Sequence, residues 1–245
     1  MKKIIYARSE LIQLNKVYQS TKAFENFLIQ NKALSKITTS VLDIGCGYGS
    51  QIQYFSRKYL KIKFTGWDYS HKKINMANKL NKNPNNKFFV QDLLKIKKKI
   101  SNSFDLTFSI QTLCCFKNID EVLKSITKVN SRFIAINSLF YDGPLDVLIH
   151  IRDLTNPSIK DDNPDGDFNI HSLERVKKSF LSSGYKLIKI KKFFPRYRIK
   201  NPSKKKRGSY TVKTEFNRHT LFSGPVHLPW YFILAKKIKV NLDKK

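Results

Sequence analysis

The sequence predicts an α/β fold, a mostly parallel sheet with helices on both faces. Three observations predict it. Short apolar runs alternate with helical spacing from Val41 to Ile136, a glycine-rich turn follows the first run directly, and acidic residues close the second and third runs. Strands separated by helices pair in parallel, because each return to the sheet needs a crossover of a dozen or more residues.

Residues 1–35 place Leu11, Leu14, Tyr18, Phe24, Phe27 and Leu28 at helical spacing, which predicts one or two helices in a separate segment over residues 1–37. The main domain then covers 38–245. Val41–Ile44 reads as the first strand, 50–60 as a helix, Ile62–Trp67 as the second strand and Ser70–Leu80 as a helix. Asn83-Pro84-Asn85-Asn86 is a turn signal. Phe88–Val90, Asp105–Ile110 and Phe133–Ile136 read as strands three to five, with a helix at 119–129. Beyond these the pattern changes. Leu145–Leu154 reads as a short helical string, Ser172–Ser182 as a helix capped by Ser172 with Arg175 and Lys177 outward, and 195–219 as basic and irregular. Tyr185–Phe194 and Tyr231–Ala235 read as two late strands that pair antiparallel at one sheet edge. Insertions at about 141–172 and 195–230 fall on the acceptor side.

The chain has 245 residues, 41% of them hydrophobic, enough to bury a core. No apolar run approaches the ~18 residues of a membrane span, and the polar start lacks a signal-peptide pattern. The three cysteines, Cys46, Cys114 and Cys115, form neither a disulfide framework nor a metal set, so a reducing cytoplasm is the expected location. The formal charge of +29 has two readings. One is nucleic-acid binding. The other is coding bias, since Lys far outnumbers Arg, Asn, Ile, Phe and Tyr abound, and Lys186, Lys189, Lys191 and Lys192 fall inside one element.

The chemistry resides in Asp43-Ile44-Gly45-Cys46-Gly47-Tyr48-Gly49. A dinucleotide fingerprint needs G-x-G-x-x-G, to set a pyrophosphate on a helix N-terminus. Here the third glycine comes one position early. Asp43, just before the loop, repels a pyrophosphate and attracts an ammonium. Asp68 closes the second strand, where a carboxylate accepts both ribose hydroxyls. Asp92 closes the third, placed for an adenine amino group, with Leu93 beside the ring.

In this order the motifs resemble those of the class I S-adenosylmethionine-dependent methyltransferases, over about residues 38–140. The resemblance implies a Rossmann-like seven-stranded sheet whose last strand is antiparallel and inserted beside the sixth. It also implies S-adenosyl-L-methionine as cofactor. Asp43, Gly45, Cys46, Gly47 and Gly49 would form the loop that holds the methionine portion, Asp68 would bind the ribose, Tyr69 would pack near the adenosine, Asp92 and Leu93 would frame the adenine, and Gln111 would face the methionine.

For the acceptor the sequence offers Tyr141–Pro144 leading to His150, the segment Asn169-Ile170-His171, and Thr220–Tyr231. His227 is the first choice of general base, since imidazole titrates near neutrality. His150, His171 and Asp142 follow. The expected acceptor is a hydroxyl or carboxyl of a small molecule, and the protein a monomer or homodimer. A tRNA or rRNA acceptor is the alternative, motivated by the charge and by Phe193-Phe194-Pro195-Arg196-Tyr197-Arg198. Against it, the chain lacks an Asn/Asp-Pro-Pro-Tyr/Phe tetrapeptide after strand four; Ser109-Ile110-Gln111-Thr112-Leu113 stands there.

Overall fold

The computed structural model describes residue 14 and residues 16–100, 104–151, 166–201, 208–214 and 218–238. Leu11, Arg152 and the cluster Lys204–Arg207 lie outside the described residues. The first strand, β1 (Ser40–Ile44), is central. It pairs in parallel with β2 (Lys63–Asp68) on one side and β4 (Leu106–Ile110) on the other. β3 (Asn86–Val90) extends the β2 side, and β5 (Phe133–Tyr141) the β4 side. β13 (Trp230–Lys237) runs antiparallel between β5 and β9 (Tyr185–Lys192). The order is therefore β3-β2-β1-β4-β5-β13-β9. The chain reverses direction of growth between β1 and β4. Such a switch point opens a crevice at the carboxyl ends of the strands, where ligands of this architecture bind.

Alternation along each strand fills two separate cores. Val41, Leu106, Phe108, Phe133 and Ala135 face one side. There they meet Phe24 and Phe27 of α1 (Gln19–Gln30), Ile52 and Phe55 of α2 (Ser50–Ser56), and Ile74 and Ala77 of α3 (His71–Leu80). Leu42, Ile44, Ile134 and Ile136 face the other. They pack on Val122 and Ile126 of α4 (Ile119–Lys128) and Val176 and Phe180 of α5 (Leu173–Ser182). A sheet buried on both faces needs apolar residues at successive positions, which is why these strands read as continuous apolar runs.

α1 is held to α2 by a buried carboxylate. Glu25 accepts from the hydroxyls of Tyr54 and Tyr59 and pairs with Lys58 at 2.8 Å. These bonds outweigh burial and hold its pKa below the ordinary value. The side chains of Ser70 and Ser172 cap α3 and α5, each accepting a backbone N–H at 3.3 Å.

The structure corrects the sequence reading in four places. β5 continues past Ile136 to Tyr141. Asn137 and Ser138 hide this continuation from an apolar pattern, yet both are buried, and Asn137 Nδ2 donates to the Tyr231 carbonyl at 3.1 Å. Residues 145–151 are extended, not helical. Val147 bridges Ile170, and β6 (His150–Ile151) pairs with β7 (Gly166–Asp167). β-Branched Val147, Ile149 and Ile151 suit a strand better than a helix. The stretch 195–219 is not wholly irregular. β10 (Ser209–Lys213), β11 (His219–Ser223) and β12 (Val226–His227) form a small antiparallel sheet, favoured by Tyr210, Thr211 and Val212. Arg175 does not simply point outward. It pairs with Asp120 of α4 at 2.7 Å and with Asp146, so it ties α5 to α4 and to the segment after β5. A further short strand, β8 (His171–Ser172), adds in parallel to the end of β5.

Candidate functional site

The glycine loop is anchored on the end of β2. The Trp67 carbonyl accepts from the N–H groups of Gly45 at 2.7 Å and Cys46 at 3.0 Å. Asp68 completes the tie: Oδ2 accepts from Gly47 N–H at 3.0 Å and Oδ1 from Ser70 N–H at 2.9 Å. Each carboxylate oxygen keeps a second lone pair for a ligand hydroxyl. Gly45 and Gly49 have φ of +75° and +76°. A Cβ on Gly45 would lie 2.3 Å from Thr112 Oγ1, and one on Gly49 would lie 2.6 Å from the Phe88 ring. The glycines are thus required by the loop's own packing as much as by a ligand.

Asp43 is the electrostatic centre. It is 2% exposed, and its Oδ2 has no hydrogen-bond partner. Burial, with the Asp68 charge in the same direction, raises its pKa well above 3.8. Two neighbouring carboxylates, one with an orphaned oxygen, are a costly arrangement until a cation with N–H donors arrives. The amino-acid portion of S-adenosylmethionine carries an ammonium beside a sulfonium, and so fits; a pyrophosphate does not. Burial also drives the Cys46 thiol pKa up, so Cys46 is a neutral apolar wall of the loop.

The remaining donor-side residues line the same edge of the sheet. Tyr69 is 74% exposed just after β2. Asp92 caps the turn Leu93–Lys95 by accepting from Leu94 N–H, and Leu93 is buried in the core beneath it. Gln111 closes β4 with φ of +58°, a left-handed backbone that non-glycine residues seldom adopt. Its N–H donates to the Asn137 carbonyl at 2.8 Å, and its own carbonyl accepts from Cys114 Sγ at 3.6 Å. A shallow cleft between Lys16–Tyr18 and the first turn of α2 flanks the loop.

The acceptor-side candidates are not brought together at one point. His171 has 0% exposure and neither ring nitrogen is bonded; burial holds its pKa below 6.5. His227 is exposed on β12, beside Phe222 at 5.3 Å between centroids, with its pKa lowered by partial burial and by Lys192. Asp142 is exposed beyond β5, near enough to raise the Tyr231 hydroxyl.

His150 stands elsewhere. Its Nδ1 makes a 2.8 Å ion-pair contact with Asp167 Oδ1, which lies across the β6–β7 pair. Asp167 in turn bears on the Cys115 thiol, and Asn169 binds both the Cys114 carbonyl and the Ile149 N–H. This group therefore covers the turn Leu113–Cys115, two residues past Gln111. Asn169 belongs to a segment the sequence offered for the acceptor side, whereas Asp167 was not legible, because it lies in a Pro/Asp/Asn/Gly-rich stretch with no periodicity.

The methyltransferase-domain family matches residues 42–132. No curated protein matches the sequence. Among solved structures the chain is similar to an S-adenosylmethionine-dependent methyltransferase from Methanosarcina mazei (14% identity, 86% of this chain and 98% of that one, TM-score 0.58). It is similar to a Listeria monocytogenes protein described in the same terms (15%, 90% and 100%, 0.59). A third is the 1,6-didemethyltoxoflavin-N1-methyltransferase of Burkholderia thailandensis, solved with its acceptor and S-adenosylhomocysteine (12%, 90% and 79%, 0.56). The family's domain thus spans residues 42–132, and the seven-strand path ending in an antiparallel insertion is the fold this chain shares with those methyltransferases.

Proposed function

We propose that the chain methylates a small molecule, at a hydroxyl or carboxyl group, inside a compartment roofed by its own insertions. The observation that carries this reading is an apolar cluster above the strand ends. Cys114, Leu139, Leu228 and Trp230 are buried there, with Phe168, Ile170, Leu221 and Val226 packed on them. The described parts of two insertions, through Phe168, Ile170, Leu221, Val226 and Leu228, meet in that cluster, an apolar roof that would favour a small acceptor over a polymeric one. The Burkholderia methyltransferase, solved with bound 1,6-didemethyltoxoflavin, supports a small-molecule acceptor, though its own target atom is a nitrogen. In the same reading, residues 1–37 are a flanking segment whose α1 packs beside the donor loop.

When bound, S-adenosylmethionine supplies an electrophilic methyl group on a sulfonium. Asp43 and the loop hold its amino-acid end, Asp68 its ribose, and Asp92, Leu93 and Tyr69 its adenine. Gln111 sets the level at which the acceptor must arrive. The protein's task is alignment and exclusion of water. A hydroxyl acceptor also needs a proton acceptor within reach, and His150 is better placed for it than His227. His150 stands near the turn that follows Gln111, with the Asp167 carboxylate 2.8 Å from its Nδ1. His227 lies beyond β13, two strand spacings, ~10 Å, from β4. His171 is too buried for the role.

Incubating the protein with methyl-labelled cofactor and a metabolite extract tests the reading. Label is expected in a small product; label only in RNA or protein would refute it. With that product's precursor as substrate, His150→Asn is expected to lower kcat ~10²-fold, while His227→Asn leaves kcat within about threefold. The reverse pattern would return the base to His227.

A further inference from the structure

Two positive side chains share one aromatic ring at the β9 end of the sheet. Arg218 Cζ lies 5.0 Å from the Phe194 centroid, and Lys192 Nζ lies 5.7 Å from the same centroid. Lys192 is also 5.7 Å from the Tyr231 ring. His227 is close enough that this ammonium adds to partial burial in lowering its pKa. Among the described residues, no carboxylate lies within ion-pair distance of Lys192 or Arg218. Asp142, near Tyr231, is the acid that approaches this group.

Each cation is attracted by the ring's electron-rich face. Bringing two like charges to one ring costs Coulomb energy that an anion bound near both would offset. Arginine offers a planar fork and lysine a point charge, a pair suited to the oxygens of a phosphate or carboxylate. The position adds a length. Lys192 ends β9, three strand spacings from β4, and so ~14 Å from the level of Gln111. One aromatic ring cannot cover that span.

We propose that Lys192 and Arg218, seated on Phe194, hold a phosphate or carboxylate at the distal end of an elongated acceptor whose other end meets the methyl donor beside Gln111. The proposal rests on the small-molecule reading above. The acceptor it describes is a phosphorylated or otherwise anionic metabolite at least ~10 Å long.

Calorimetry with pyrophosphate, a nucleoside diphosphate and an oligoribonucleotide of about ten nucleotides, at low and moderate salt, tests it. Wild type is expected to bind the nucleoside diphosphate. The double variant Lys192→Ala/Arg218→Ala is expected to bind it at least ~10-fold more weakly, with Arg218→Lys intermediate. S-adenosylhomocysteine affinity should stay within about twofold, which shows that the variants are folded. Equal affinity of wild type and double variant for all three anions would overturn the proposal, as would no binding of any of them to wild type. Binding of the oligonucleotide alone, steep in salt and lost in the double variant, would keep the anion site and refute the small-molecule reading instead.

Discussion

At Asp43 two demands conflict. Folding buries the carboxylate next to Asp68, which favours its protonated form, while a bound ammonium requires the ionised one. The sign follows. A carboxyl whose pKa is raised on folding contributes stability below its unfolded value of 3.8, and loses it as pH rises through the folded value. Asp43→Asn removes that loss. The variant is expected to melt at or above the wild-type temperature near neutral pH, yet to bind S-adenosylhomocysteine at least ~10-fold more weakly, about 1.4 kcal/mol. Wild-type affinity should rise with pH above 3.8 toward the raised value, with proton release on binding. Calorimetry in two buffers of different ionisation heat measures both; a variant that binds as well as wild type would remove Asp43 from the site. The residues proposed for the donor side were legible as candidates because they follow strands at fixed offsets, and the structure places them at the ends of β1, β2, β3 and β4. The contact of His150 with Asp167, and the shared ring of Lys192 and Arg218, depend on long-range placement that no local pattern records.

At the scale of elements, the strands that carry an apolar run or a clear alternation were readable and those whose pattern is interrupted were not. β5 beyond Ile136 and the β10–β12 sheet are the cases in point: the first carries Asn137 and Ser138 and pairs with distant β13, and the second lacks a sustained apolar run. β9 was readable from its alternation, and its lysines have a role there. It is the edge of the sheet, with Lys186, Lys189, Lys191 and Lys192 exposed. It also bulges at Ile188, opposite Leu234 and Ala235. Charge and a bulge both deter pairing with a second copy's edge. Lys189→Val with Lys191→Val is therefore expected to cause concentration-dependent self-association, measured by light scattering, with little change in donor affinity. A double variant that stays as monodisperse as wild type would show that the bulge alone protects the edge.

For the whole molecule, the formal charge of +29 must be carried by a surface with few acids. The described ion pairs are sparse, among them Lys58–Glu25, Lys95–Asp92 and the Arg175 pairs. Self-repulsion of this kind favours expansion and is screened by salt. Raising sodium chloride from about 50 to 300 mM is expected to raise Tm by about 3–6 °C, read by differential scanning fluorimetry. A flat or falling Tm would mean that repulsion is not a significant part of the stability balance.

The placement of β13 also sets an order of assembly. β9 touches the sheet only through β13, and residues 193–229 separate the two in the chain. While the protein is being made, β1 to β5 can pair and form the donor crevice, but β9 has no seat until β13 arrives. The β1–β5 half of the sheet can thus form first, and the β13–β9 edge is completed last.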